Sequence, residues 1–287
     1  MAKPFEDIYR EVPAELRQAL QQFRATHPYQ RLEVGGVTWE YITSGRGQQC
    51  VLVLGGGLSV GETSFRTIQR LEGRMRVISP SYPTTGRMDS VAQGLDAILE
   101  REDIRQVHVF GHSLGAATGH CFVRLYPERV DRLVLDGFGL YTPRHTRAAG
   151  LFLKLPYPLL KAYYRRVFRR LLSDASDAGQ VFMRAYVEEL FTRIHTRQSL
   201  MAQFRLLLDI FDHPDQYRIF QPVEKPGKVL LMLARDDRGF SPEERQALIA
   251  SYPGAQVHWF ESGGHLAGLT QPEVFNAVLD GFLTEEV

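Results

Sequence analysis

Residues 106–117 read QVHVFGHSLGAA, and this stretch decides the fold. A short apolar strand pattern runs directly into Gly111-His112-Ser113-Leu114-Gly115. That is a G-x-S-x-G turn, in which glycines permit a sharp strand-to-helix reversal that lifts a serine hydroxyl into the open. Small residues follow, Gly115, Ala116 and Ala117, and let the next helix approach the strand closely. The same pattern occurs at Gly57-Leu58-Ser59-Val60-Gly61, so the pentapeptide alone does not choose between Ser113 and Ser59. Context does. Ser113 stands between a strand and a helix, whereas Ser59 lies in the glycine-rich loop after VLVL, where backbone N–H groups would hold a developing alkoxide. Taken alone, the pentapeptide is equally a tight turn without chemistry.

Working outward, short apolar runs alternate with helical patterns. Strands are expected at CVLVL (50–54), MRVIS (75–79), QVHVF (106–110) and VDRLVLD (130–136), with helices near 62–72, 89–101 and 114–126. This alternation predicts parallel strands buried on both faces. Upstream, an amphipathic helix over 14–25 precedes QRLEV and VTWEYIT, which read as a hairpin about Gly35 and Gly36. Between Leu140 and Lys225 the alternation stops, and stretches such as KAYYRRVFRRLL and QVFMRAYVEELFTRI take a helical period. It resumes with KVLLMLA (228–234), a helix from Pro242, QVHWFE (256–261) and a helix over 271–283. The expected organisation is one α/β core, residues 1–139 and 226–287, interrupted by a helical insertion, 140–225. Capping boxes at Ser241–Glu244 and Thr270–Glu273 mark the starts of the two late helices.

The chain has 34 Lys+Arg against 33 Asp+Glu, a formal charge of +1, so no global field argues for nucleic acid. Hydrophobic residues at 44% and charged residues at 23% are those of a globular protein and exclude fibrous or disordered classes. The charge is uneven, however: residues 140–225 carry 14 Lys+Arg and 8 Asp+Glu, a net of +6, which leaves −5 for the rest. No apolar run approaches the ~18 residues of a membrane span. The start MAKPFEDIYREVPAEL holds both charge signs and no apolar signal region, so a cytoplasmic protein is expected. Cys50 and Cys121 lie in apolar segments and read as buried free thiols, too few to make a zinc site by themselves.

An elbow serine predicts an acid and then a histidine later in the chain. Arg235-Asp236-Asp237 follows one resumed strand and Ser262-Gly263-Gly264-His265 follows the next, both at the carboxyl edge where open α/β sheets place their sites. Of the nine histidines, His265 alone follows a double glycine. His108 and His258 lie within strands and His120 within a helix, and these read as packing residues. His112 occupies the free position of the pentapeptide, as a neighbour able to touch substrate, while His195 and His213 belong to the insertion. Side chains of adjacent loop residues diverge, so only one of Asp236 and Asp237 aims at His265. Asp237 ranks first, with Asp236 and Asp136 as alternatives.

GHSLG, the acid in LARDDRGFSPEE, the SGGHL histidine and the insertion before the acid's strand together resemble the α/β-hydrolase superfamily over residues 30–285. The resemblance implies a mostly parallel sheet with helices on both faces and a helical cap. It implies a triad of Ser113, His265 and Asp237. In that family the acid stands three residues after a glycine; here Ala234 takes the glycine place, and the count leads to Asp237. The family's oxyanion loop often reads His-Gly-x, whereas this chain has Gly55-Gly56-Gly57, which leaves the first donor open between Gly57 and Leu58, with Leu114 as the second.

As a cap, the insertion would shape the pocket, and its aromatics, among them Phe152, Tyr164, Phe168 and Phe204, suggest an apolar acyl or aryl site. Arg165, Arg166, Arg169 and Arg170 fit either recognition of an anionic substrate or weak contact with an acidic membrane surface, or else a solvated face whose stems cover apolar surface. The expected activity is that of a serine carboxylesterase acting on small-molecule esters, with no metal or organic cofactor required. Carbon–carbon, thioester and amide hydrolysis share the same triad. Thr38-Trp39-Glu40-Tyr41 and Ser81-Tyr82-Pro83 are faintly similar to maspardin-type proteins, so a non-catalytic binding protein is the alternative of another class.

Overall fold

The structure is a computed structural model that describes residues 3–140, 143–173, 175–225 and 227–284. Helices α1 (Phe5–Ile8) and α2 (Ala14–Thr26) precede a hairpin of β1 (Gln30–Val34) and β2 (Val37–Ser44). There follow β3 (Cys50–Leu54), α3 (Phe65–Leu71), β4 (Arg76–Pro80), α4 (Met88–Arg101), β5 (Val107–His112), α5 (Leu114–Leu125) and β6 (Val130–Asp136). Helices α6 (Pro143–Lys154), α7 (Tyr157–Leu171), α8 (Asp177–Glu189) and α9 (Arg197–Asp212) stand between β6 and β7 (Val229–Ala234). The chain continues with α10 (Pro242–Ala250), β8 (Gln256–Phe260), α11 (Ala267–Thr270) and α12 (Pro272–Thr284).

The described strands form one sheet in the order β1-β2-β4-β3-β5-β6-β7-β8. The hairpin and the β2–β4 pair are antiparallel, and every later pair is parallel. Period-two alternation divides each central strand between two helical layers. Val51, Val53, Val77, Val134 and Met232 pack with α2, α3 and α12, while Leu52, Leu54, Ile78, Leu135 and Leu231 pack with α4, α5 and α10. Burial on both faces is why these strands read as unbroken apolar runs. Cys50 and Cys121 are free and buried, and burial pushes both thiols up to about 12.

The inserted helices are bound to the core by charge as well as by packing. The Arg24 guanidinium of α2 donates to Glu62, beyond the loop after β3, and to Glu189 at the end of α8, and Tyr9 O–H donates to the same Glu189 at 2.7 Å. After α9 the chain returns along α5: Arg124 donates to the carbonyls of Arg218 and Gln221 at 2.9 and 2.8 Å, and Tyr217 is fully buried. The expected boundary at residue 226 lies outside the described residues. Among the described residues no helix is long and apolar enough to cross a membrane.

One of the two capping boxes forms. Ser241 N–H donates to Glu244 Oε2 at 2.7 Å, and Glu244 N–H returns to Ser241 Oγ at 3.3 Å. The box expected at Thr270 is replaced by a one-turn helix, α11, in which the Thr270 hydroxyl donates backward to the carbonyls of Gly263 and Leu266. Thr270 is the last residue of α11, and Gln271 stands directly before α12, so the hydroxyl is not at the position from which it would cap that helix. Replacing Ser241 with alanine is expected to cost about 1 kcal/mol, read as a lowered urea midpoint at unchanged slope.

Candidate active site

The turn between β5 and α5 is set by close packing. A Cβ on Gly115 would lie 1.9 Å from the Leu54 carbonyl, and one on Gly111 would lie 2.4 Å from the Gly115 carbonyl, so both positions exclude a side chain. Helix α5 therefore begins against β3, and Ser113 must reverse the chain in one residue. It does so at φ 52°, ψ −112°, a region costly for a residue other than glycine. Its N–H donates to the Asp136 carbonyl at 3.0 Å, and its hydroxyl faces the cavity above the sheet edge.

His265 Nε2 lies 2.9 Å from Ser113 Oγ, and His265 Nδ1 lies 2.9 Å from Asp237 Oδ2. Asp237 is buried, and its other oxygen accepts the Gly239 N–H at 2.7 Å. Burial alone would raise its pKa, but the hydrogen bond and charge of His265, aided by the Gly239 amide, outweigh that and hold the carboxyl below its ordinary range. For His265, burial alone would favour the neutral ring, but the hydrogen bond and charge of Asp237, with the charge of Asp136, raise the imidazole above its ordinary value. A carboxylate at Nδ1 leaves the Nε2 lone pair directed at the Ser113 hydroxyl, the arrangement that lets an imidazole take a serine proton.

The three candidate acids are separated by their partners. Asp236 turns away and accepts the N–H groups of Gly263 and Gly264 at 3.2 and 2.9 Å, which holds the double glycine at φ 118° and 59° and presents His265. Asp136 meets His112 Nδ1 at 2.6 Å. This second imidazole and carboxylate pair borders the cavity, with the two histidine rings 5.2 Å apart. The pairing of His112 with Asp136 had no signal in the sequence beyond both residues lying at strand ends. His108 and His120 are buried in the core, as packing residues are.

Of the two candidates for the first oxyanion donor, Leu58 is already committed: its N–H donates to Gln203 Oε1 of α9 at 2.8 Å. Gly57 and Leu114 border the cavity, and among the described residues nothing hydrogen-bonds to either amide N–H. The cavity holds about 410 Å³ between the 55–59 loop, Ser113, His265 and the inserted helices. Tyr164, Phe168 and Phe204 line it as expected, and His112 does too. Phe152 does not. It packs against Phe204 and Tyr163, ring centroids 5.3 and 4.7 Å apart, where α6 meets α9. Arg165, Arg166, Arg169 and Arg170 are exposed on α7, with Arg165 paired to Glu188, and none reaches the cavity. Among the described residues, no group of three or more His, Cys, Asp or Glu side chains is arranged to hold a metal ion.

A family model described as the alpha/beta hydrolase family matches residues 50–278. The chain belongs to the alpha/beta hydrolase family. A curated relative from Escherichia coli, a 2-hydroxy-6-oxononadienedioate/2-hydroxy-6-oxononatrienedioate hydrolase, is 25% identical over 90% of this chain and 96% of its own. Among solved structures, a hydrolase from Pseudomonas aeruginosa superposes with a TM-score of 0.72 at 16% identity, over 90% of this chain and 99% of the other. The enol-lactonase from Burkholderia xenovorans gives 0.71 at 15%, over 89% and 100%. At those identities the structures speak for the fold, and family and relatives together make the chain a hydrolase.

Protonating His265 fills the Nε2 lone pair that accepts the Ser113 hydroxyl, so in this alpha/beta hydrolase the ability of the imidazole to take that proton is lost as pH falls through the raised pKa, while its Nδ1–H bond to Asp237 stays. Imidazole nitrogen NMR is expected to place that midpoint above ~6.5, and Asp237→Asn to bring it down.

Proposed function

We propose that this alpha/beta hydrolase cleaves uncharged carboxylic esters with apolar acyl or aryl groups, by way of an acyl-enzyme. The observation that carries the reading is the continuous Asp237–His265–Ser113 hydrogen-bond chain at the floor of a cavity lined mainly by apolar side chains and, among the described residues, by no lysine or arginine. Ser113 Oγ attacks the ester carbonyl while His265 Nε2 takes its proton. Asp237 holds the imidazole in the Nδ1–H form and stabilises the cation that results. The amides of Leu114 and Gly57 receive the negative oxygen of the tetrahedral intermediate, and His265 returns the proton to the leaving alkoxide. A water molecule deprotonated by the same imidazole then attacks the acyl-enzyme, and breakdown restores the Ser113 hydroxyl. The inserted helices act as a cap whose Tyr164, Phe168 and Phe204 hold the acyl or aryl group, and a volume of about 410 Å³ suits a small to medium substrate.

Carbon–carbon bond hydrolysis is the second reading, favoured by the Escherichia coli relative's name and its match along nearly the whole chain. The substrates in that name are dicarboxylates. Among the described residues this cavity offers two histidines and the Asp136 carboxylate to such a molecule and no permanent cation, which places neutral esters first. A non-catalytic binding role is disfavoured because serine, histidine and acid are all present and bonded in order.

The test is a panel of p-nitrophenyl esters graded from acetyl to decanoyl. Turnover is expected to peak within the series and to vanish in Ser113→Ala, which should also fail to react with a fluorophosphonate probe. Labelling of that variant at the wild-type rate would remove Ser113 from the reaction. Faster turnover of a 2-hydroxy-6-oxo-dienedioate than of any ester would favour the second reading. Asp237→Asn is expected to lower kcat by about 10⁴-fold with KM little changed, measured on the ester turned over fastest.

A further inference from the structure

Leu58 is buried and stands at φ 69°, in the left-handed region that favours glycine. Both its backbone polar groups are held by the inserted segment. Its N–H donates to Gln203 Oε1 at 2.8 Å, and its carbonyl accepts from His195 Nε2 at 2.7 Å. His195 directly follows a π-helical turn, Leu190–Ile194, that breaks the register of α8, and its Nδ1 lies 3.2 Å from Ser199 Oγ. Burial favours the neutral form of this imidazole, outweighing the hydrogen bond to Leu58, and the neutral ring with its proton on Nε2 is the donor that the Leu58 carbonyl needs.

On the other side of the loop, Tyr82 O–H donates to the Gly55 carbonyl and Ser59 N–H to the Gly56 carbonyl, each at 3.1 Å. Between these fixed points lies Gly57. A Cβ on it would meet nothing within 4 Å, and its N–H shares a peptide plane with the Gly56 carbonyl that the Ser59 N–H holds. The direction is set by the residues on either side, and Leu58 would relax from its left-handed conformation if released. Gln203 borders the cavity, yet its side-chain oxygen is already used by the Leu58 amide.

We infer that Gln203 and His195 are positioning residues that clamp Leu58 from the cap and thereby aim the Gly57 N–H at the oxyanion, so that the oxyanion hole is complete only when the inserted helices are seated on the core. This rests on the triad and oxyanion reading given above.

The experiment compares Gln203→Leu, His195→Leu and His195→Gln with wild type on the fastest p-nitrophenyl ester. It adds inhibition by a trifluoromethyl ketone, whose serine adduct places an oxyanion in the same hole. Each leucine variant is expected to lose about 10- to 100-fold in kcat, with KM unchanged and the inhibition constant rising in step. His195→Gln, which keeps an N–H donor, is expected to recover most of the loss. Unchanged kcat, or a rise in KM alone, would overturn the clamp, the latter showing that Gln203 only touches substrate. If Gln203→Leu loses the near-ultraviolet dichroism of the folded protein, the His195→Leu and His195→Gln pair decides. Ser113→Ala serves as the control. A variant still active without its serine hydroxyl removes the whole scheme, whereas an inactive one beside fully active clamp variants removes the clamp alone.

Discussion

The approach of helix α5 to strand β3 governs the rest of the molecule. With the Gly115 Cα set against the Leu54 carbonyl, the chain has a single residue in which to turn from strand to helix, and Ser113 takes that turn in a strained conformation. The strain is held by backbone bonds on both sides: Ser113 N–H to the Asp136 carbonyl, and the first turn of α5 through Ala117 N–H to the Ser113 carbonyl. One packing constraint thus exposes the hydroxyl and brings the start of α5, with its unpaired amides and positive dipole end, beside it. It also places the loop after β3 opposite, since β3 and β5 are neighbours in the sheet.

Electrostatics divide the acids near this turn among different tasks. Asp237 holds a histidine, Asp236 holds the backbone of the loop that carries that histidine, and Asp136 holds a second histidine against the cavity wall. Adjacent residues in a tight turn point in different directions, so the Asp236–Asp237 pair serves two sides of one loop. The charge of Asp136 also reaches His265 and adds to the rise of its pKa.

The inserted helices close the site with a surface of opposed character. The inner side of α7 offers Tyr164, Val167 and Phe168 to the cavity, and its outer side carries the exposed arginines. The net of +6 on the insertion lies, on this helix, away from the chemistry. Seating depends instead on buried contacts. Arg24 joins Glu62 and Glu189, and the bonds of His195 and Gln203 to Leu58 lie farther along the same chain segment. The helices that shape the pocket and the loop that faces the serine are in this way parts of one hydrogen-bonded assembly.

The strands of the core, their parallel pairing and the loops that carry Ser113, His265 and Asp237 were legible from sequence because each depends on local chemistry: apolar runs at fixed spacing, glycines where no Cβ fits, acid and base after consecutive strands; the order in which the strands lie side by side was decided by the crossovers. The first capping box was legible for the same reason, as its partners are three residues apart. Thr270 was not, because the His265 loop folds into a separate turn of helix that ends on Thr270, a turn that no pattern around residue 270 displays. Phe152 looked like its pocket-lining neighbours, and only the packing of α6 on α9 set it against Phe204 and off the cavity wall. Gln203 and His195 stand 145 and 137 residues from Leu58, and the His112–Asp136 pair joins two strands. Local sequence determined the elements and the loops on which Ser113, His265 and Asp237 stand. Which amides are free to meet a substrate was decided by tertiary structure, because a backbone N–H is the same at every position until folding gives it a partner or leaves it without one.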